Sequence, residues 1–182
     1  MRGPEISSPN QAREAAAAVR LMGFDVDGVL TDGSLYFTPN GEEIKVFSSL
    51  DGHGLKMLQQ AGIEVVIISG RSSRALELRA ANLGIAELHM GVEDKRGCLD
   101  DILARRGLPR SAAGYMGDDV VDLPILRACG FSATPADGHS FVRQHVGFVA
   151  SQPGGRGAVR ETCDFLLAAQ GKLDAMLQRY LD

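Results

Sequence analysis

The residues best suited to chemistry stand together in Phe24-Asp25-Val26-Asp27-Gly28-Val29-Leu30-Thr31-Asp32. This run follows directly on the apolar stretch Val19 to Phe24, interrupted only by Arg20 and Gly23. An apolar run that stops at two carboxylates and a glycine reads as a buried strand delivering acidic groups to a loop. Ligands of open parallel sheets bind just beyond the carboxyl ends of the strands. Two carboxylates placed there can hold a hard cation, and one of them can attack an electrophile. The same residues also suit an ordinary strand-to-turn junction, since Asp and Gly are common turn formers.

Three further polar groups bear on that choice. Ser69-Gly70-Arg71 closes the β-branched run Glu64-Val65-Val66-Ile67-Ile68. Gly117-Asp118-Asp119, with Asp122, follows the small strand Ala112 to Met116, and Lys95 opens a helical pattern running to Arg106. Taken singly, Ser69 and Gly70 make a strand-end turn, Lys95 is a solvated helix residue, and the three aspartates cap a helix. In an open α/β sheet, however, strand ends distant in sequence converge. The converged set holds carboxylates, a hydroxyl, helix amides and an ammonium. Phosphoryl transfer needs this combination: a divalent cation and positive charge around the phosphate, with an oxygen nucleophile in line.

The elements that must position these groups alternate along the chain. Gln11 to Val19 suits a short helix leading into the first strand, and Gly54 to Ala61 a second helix stopped by Gly62. Ser72 is expected to cap a helix through Leu83, and a short strand covers Glu87 to Met90. Beyond Asp119 come a helix over Val120 to Ala128, a strand over Gly130 to Thr134, and a short helix and strand over Phe141 to Ala150. Gly154-Gly155-Arg156-Gly157 opens a last helix, Ala158 to Ala169, before a polar tail over 171–182. Strands alternating with helices of about 10–15 residues predict a Rossmann-like α/β fold with a mostly parallel central sheet flanked by helices. One insertion interrupts the alternation. Residues 34–38 and 42–47 flank Pro39-Asn40-Gly41, a hairpin signal, and such a ribbon is marginal alone in water. It docks either on its own domain or on a partner subunit.

Length and composition bound the rest. A chain of 182 residues with 45% hydrophobic and 23% charged residues suits one soluble domain spanning 1–182. A net charge of −4 gives no basic footprint for nucleic acid or anionic membranes. Cys98, Cys129 and Cys163 have no CxxC spacing and suit incidental thiols in a reducing compartment. Residues 1–10 lack an apolar signal core and are expected to be disordered, and no apolar window is long enough to span a membrane. The expectation is a cytoplasmic protein.

In this order the motifs resemble those of the haloacid dehalogenase-like phosphatase superfamily, over nearly everything from Leu21 onward. The resemblance implies that Asp25 is a nucleophile forming an aspartyl-phosphate, and that Asp27 is the general acid and then the base. It implies that Ser69 and the Gly70 amide hold the phosphoryl oxygens and that Lys95 neutralises Asp25 and the phosphate. It also implies a magnesium ion (Mg2+) held by the Asp25 carboxylate, the Asp27 carbonyl and Asp118, with Asp119 and Asp122 behind them. The intervals from Asp25 to Ser69 and from Ser69 to Lys95 leave no room for the specificity cap of this superfamily.

Three segments narrow the resemblance to a capless subfamily, the 3-deoxy-D-manno-octulosonate 8-phosphate (KDO 8-phosphate) phosphatases of lipopolysaccharide synthesis. They are Phe47 to Gly54, Gly117 to Pro124 and Gly154 to Glu161, joined by the tail Ala169 to Leu173. That family implies a homotetramer with the 34–47 hairpins at its centre and each active site completed by a neighbour. Arg156 would then meet the substrate carboxylate, and Arg71 either joins it or is solvated. One departure is Leu50, where many members carry Arg before Asp51-Gly52. It leaves open a nine-carbon sugar acid 9-phosphate as substrate. A non-catalytic assembly module is the third reading, and the intact motifs oppose it.

Overall fold

The computed structural model describes residues 9–181. The chain begins with α1 (Pro9–Ala17) and β1 (Leu21–Phe24), followed by the hairpin strands β2 (Tyr36–Phe37) and β3 (Glu43–Ile44). It continues with α2 (Ser49–Gln60), β4 (Glu64–Ile68), α3 (Arg74–Leu83), β5 (Glu87–His89), α4 (Lys95–Arg106) and β6 (Ala113–Met116). Then come α5 (Leu123–Leu126), β7 (Phe131–Thr134), α6 (Ser140–Arg143), β8 (Phe148–Val149), α7 (Ala158–Ala169) and α8 (Leu173–Gln178).

Six strands form one sheet in the order β5-β4-β1-β6-β7-β8, and every neighbouring pair is parallel. The chain steps outward from β1 to β4 and β5, then crosses back to β6 and proceeds the other way. That reversal puts the carboxyl ends of β1, β4 and β6 side by side at a switch point. The register aligns Phe24 with both Ile67 and Met116. Alternating residues feed two apolar layers. Met22, Phe24, Val65 and Ile67 pack with α2, α3 and α7, whereas Leu21, Val66, Ile68 and Tyr115 pack with α4 and α5. A Cβ on Gly23 would stand 2.7 Å from the Tyr115 ring. Glycine there lets the buried Tyr115 hydroxyl donate to Ile68 O at 3.0 Å, bracing the end of β4.

Several expectations change. The helix expected from Gly54 starts at Ser49, because Ser48 caps it by accepting from Asp51 N at 3.3 Å. The cap of α3 is Ser73, not Ser72, and its side chain makes no capping bond. Val120 to Ala128 holds only a 3-10 turn and the four residues of α5, with Pro124 in its first turn, where a missing N–H costs nothing. The polar tail folds in part: α8 buries Met176, and Lys172 Nζ donates to Ala61 O at 2.9 Å. Of the expected disordered start, residues 1–8 lie outside the described residues, and Pro9 and Asn10 form the first turn of α1. The tail's last residue, Asp182, also lies outside them. The hairpin turn is as expected: Thr38 N donates to Glu42 O at 2.9 Å and Gly41 takes φ +84°. Among the described residues no helix is long and apolar enough to cross a membrane.

Asp51 ties two helices together. It is 1% exposed and belongs to the first turn of α2, yet its carboxylate accepts from Gly157 N at 3.3 Å and Arg160 N at 2.8 Å at the start of α7. Burial raises its pKa, while the Arg160 and Gly157 amides oppose that rise. The site serves two helix N-termini, where a carboxylate is favoured. Asp51→Ala leaves both α7 amides unpaired in a buried place and should cost about 2–4 kcal/mol. Denaturant midpoints measure this; a loss below about 0.5 kcal/mol, the level of ordinary surface changes, contradicts it.

Candidate active site

The loop after β1 is built by its backbone. Asp25 N donates to Met116 O at 2.9 Å, so the first residue past the strand still follows β6. Val26 O then accepts from the amides of Val29, Leu30 and Thr31 at 3.2, 2.9 and 3.0 Å, closing a tight turn. Gly28 sits in this turn with φ +84°, and a Cβ on it would lie 2.1 Å from Asp118 Oδ2. Glycine is required here both for the left-handed backbone and for the approach of Asp118.

One ammonium gathers the carboxylates. Lys95, the first residue of α4, is 7% exposed and stands 2.8 Å from Asp25 Oδ2 and 2.6 Å from Asp122 Oδ1. Asp94 fixes the start of that helix by accepting from Gly97 N at 2.9 Å. Asp122 has no exposed surface, and its Oδ2 accepts from Asp118 N at 3.1 Å and Asp119 N at 3.4 Å. Asp119 caps the following turn through Val120 N at 2.7 Å. Oxygen atoms of Asp25, Asp118 and Asp122 all lie within 4.8 Å of one another.

This crowding sets the charges. Burial raises the Asp25 pKa to about 6, helped by the Asp122 charge and opposed by Lys95. Burial and then the charges of Asp25, Asp122 and Asp119 raise Asp118 to about 7. Burial pulls Lys95 down, but Asp25 and Asp122 outweigh it and hold its pKa above the ordinary value. Three close carboxylates against one ammonium leave an excess of negative charge and hard oxygen donors, which fits a divalent cation such as magnesium. Asp122 spends both oxygens on Lys95 and on backbone amides, so Asp25 and Asp118 are the carboxylates left to bind one.

Beside this cluster, Ser69 is 2% exposed at the end of β4, and its Oγ accepts from Arg71 N at 3.2 Å. A hydroxyl so placed keeps its own hydrogen to donate. A cavity of about 530 Å³ opens over these groups, lined by Asp25, Asp27, Gly33, Ser69, Gly70, Arg71, Val92, Glu93, Lys95, Asp118, Asp119 and Val121. Of the residues singled out in the sequence, Asp122 lies beneath the cavity and Arg156 lies outside its lining. Arg156 is largely exposed and stands 3.6 Å from Asp32. Its loop nevertheless packs on the Asp25 turn: Gly155 N donates to Val29 O at 2.8 Å, and a Cβ on Gly154 would fall 1.9 Å from Gly28 O. Between Asp25 and Ser69 the chain adds only the hairpin, α2 and β4, and between Ser69 and Lys95 only α3 and β5.

Two residues escaped the sequence reading. Lys45 Nζ bonds Asp27 Oδ1 and also Glu43 Oε1 at 3.2 Å, and Glu43 in turn accepts from Arg71 at 3.0 Å. Their only sequence signal is alternation: Glu43 and Lys45 share one side of the ribbon and Ile44 and Val46 the other.

A parallel sheet whose switch point gathers an Asp-x-Asp loop, a strand-end serine, a buried lysine and a second acidic loop defines a haloacid dehalogenase-like protein. A HAD superfamily hydrolase from Legionella pneumophila superimposes with a TM-score of 0.90 at 37% identity, over 94% of each chain. No protein-family profile matches the chain. The 3-deoxy-D-manno-octulosonate 8-phosphate phosphatase KdsC of Salmonella typhi is 43% identical over 159 residues, covering 87% of this chain and 85% of that protein. A crystal structure of the Moraxella catarrhalis phosphatase of the same name, in complex with magnesium, phosphate and KDO, has a TM-score of 0.93 at 36% identity, over 95% and 99% of the two chains. The chain belongs to the 3-deoxy-D-manno-octulosonate 8-phosphate phosphatase family.

The raised carboxylate pKa values fix two pH dependences. A cation held by Asp25 and Asp118 would displace their protons, so its affinity should fall as pH drops through about 7 and 6. By calorimetry the apparent magnesium Kd should rise at least about tenfold from pH 7.5 to 5.5. Because both pKa values lie above those of an unfolded chain, the cation-free protein binds more protons folded than unfolded. It should therefore lose stability as pH rises from about 4 to about 7. Magnesium should raise the Tm more at pH 7.5 than at pH 5.5; an equal gain at both contradicts the assignment.

Proposed function

We propose that this chain is a magnesium-dependent phosphatase that hydrolyses 3-deoxy-D-manno-octulosonate 8-phosphate to the free sugar acid and phosphate. The observation that carries the reading is the Asp25–Lys95–Asp122 arrangement beside Asp118, opening into the same cavity as Asp27, Ser69 and Arg71. The names of the related phosphatases and the KDO complex of one of them supply the substrate. Lipopolysaccharide sugar synthesis and a cytoplasmic site of action are part of the proposal, and nucleic acid is not among its partners.

In this mechanism Lys95 keeps the buried Asp25 ionised, and Ser69 and the Gly70 amide hold the phosphoryl oxygens. An Asp25 oxygen attacks phosphorus in line as the bond to the sugar oxygen breaks, and Asp27 delivers a proton to that leaving oxygen. Asp27 then takes a proton from water, whose oxygen attacks the aspartyl-phosphate, releasing phosphate and restoring Asp25. The cation, when held by the Asp25 and Asp118 carboxylates and the Asp27 carbonyl, neutralises phosphate so that an anionic nucleophile can approach it. Asp122 orients this set from behind, and Asp119 shapes the Asp118 loop by capping the turn that follows it. Asp25→Asn should lower kcat at least about 10³-fold with the fold intact; magnesium-dependent phosphate release at the wild-type rate would falsify the reading.

The assembly we propose is a homotetramer joined through the hairpin. Leu35, Tyr36, Phe37, Ile44 and Val46 are all exposed, a density of apolar side chains that usually marks an interface. Arg156, outside its own cavity, and the tail would then serve a neighbour's site, where a guanidinium fork suits the substrate carboxylate. A monomer of about 19 kDa in light scattering at working concentration would remove the tetramer. Leu50, which is 61% exposed, keeps a nine-carbon acid 9-phosphate as the second reading. The ratio of kcat/KM for the eight- and nine-carbon phosphates should favour the eight-carbon acid, and a preference for the nine-carbon acid reverses the assignment.

A further inference from the structure

We infer that Lys45, clamped by Glu43, is a positioning residue that fixes the Asp27 carboxylate for proton transfer to the leaving sugar oxygen. The inference rests on the phosphatase reading and on Asp27 as its general acid.

The geometry is a closed ring of four charges. Lys45 bonds Asp27 Oδ1 and lies 3.2 Å from Glu43 Oε1. Arg71 lies 3.0 Å from the same Glu43 oxygen and 3.7 Å from Asp27 Oδ2. Lys45 occupies Oδ1, and Arg71 at 3.7 Å stands beyond hydrogen-bond reach of Oδ2. Oδ2 is therefore the oxygen left to carry the proton delivered to the leaving group, and rotation of the carboxylate breaks the Lys45 contact. The Lys45 side chain is only 3% exposed and that of Glu43 12%. A lysine placed for solubility on an exposed ribbon keeps its ammonium in water. Here the ammonium is withdrawn from solvent, at a desolvation cost that close carboxylates must offset. A loosely held acid loses rate, because proton transfer requires its oxygen within hydrogen-bond reach of the leaving group. Alternation along the ribbon completes the argument: Ile44 and Val46 turn outward and are exposed, while Glu43 and Lys45 turn in over Asp27. One short segment thus serves the chemistry with one face and presents apolar surface with the other.

The test uses leaving-group dependence, which a merely structural role does not move. The sugar phosphate expels an alkoxide that needs a proton, whereas p-nitrophenyl phosphate expels a stable phenolate that does not. Lys45→Met should lower kcat for the sugar phosphate by roughly 30- to 100-fold and for p-nitrophenyl phosphate by less than about fivefold. Glu43→Gln, which leaves Lys45 in place but loosens it, should show the same bias at smaller size. In an Asp27→Asn background, Lys45→Met should add less than about threefold, since it acts through the group already removed. Equal losses on both substrates in both variants, or full additivity with Asp27→Asn, would overturn the inference while leaving the phosphatase reading intact. Wild-type protein that cleaves neither substrate would overturn the phosphatase reading, and the inference with it. An Asp27→Asn protein with no leaving-group bias would overturn the role of Asp27 as general acid, and the inference with it.

Discussion

Three carboxylates around one buried ammonium are the constraint on which the rest of the molecule depends. Asp25, Asp118 and Asp122 come within 4.8 Å of one another, and Lys95 bonds two of them from a position 7% exposed. Like charges so close and so little hydrated repel strongly, and no loop holds them together unaided. The structure meets the requirement in layers. The sheet delivers Asp25 and the Asp118 loop on adjacent strands, the α4 N-terminus delivers Lys95, and backbone amides of 118 and 119 take up the second oxygen of Asp122. What remains is an excess of negative charge on Asp25 and Asp118, the two of these three carboxylates that face the cavity.

The supports extend well away from the chemistry. The turn carrying Asp25 is pressed by the 154–157 loop, where a Cβ on Gly154 or Gly155 would collide with the backbone of Gly28 or Thr31. That loop is in turn anchored by Asp137 through Gly154 N at 2.9 Å and by Asp51 through Gly157 N. Asp51 belongs to α2, so a chain of contacts runs from the second helix through the start of α7 to the turn that carries Asp25. This explains why a segment that contributes no side chain to the cavity is so rich in glycine.

Much of this was legible in the sequence because local and tertiary preferences agree. The β-branched run gave β4 at its observed bounds, and α4 and α7 were read to the residue because a cap or glycine marks each end. Where packing overrides propensity, the reading failed. Gly52 and Gly54 look like helix breakers, yet both lie within α2. A Cβ on Gly52 would meet Arg79 at 2.2 Å, and one on Gly54 would stand 3.1 Å from Arg160. The short α8 depends on burying Met176, which no local pattern announces. Lys45 was missed for a different reason. The sequence shows a ribbon with two faces, but the fact that one face folds over Asp27 is a property of the assembled sheet, not of the ribbon.

The parallel register described above also acts as a ruler. Phe24 is level with Ile67 on one side and Met116 on the other, and the Tyr115 hydroxyl holds the end of β4 at that height. The heights of Asp25, Ser69 and the Asp118 loop are therefore graduated in single residues of about 3.3 Å. In-line attack requires atoms placed to a small fraction of that step. One residue added to or removed from β1, β4 or β6 would also turn every following side chain to the opposite layer. The strands thus admit many changes of apolar side chain but scarcely any change of count.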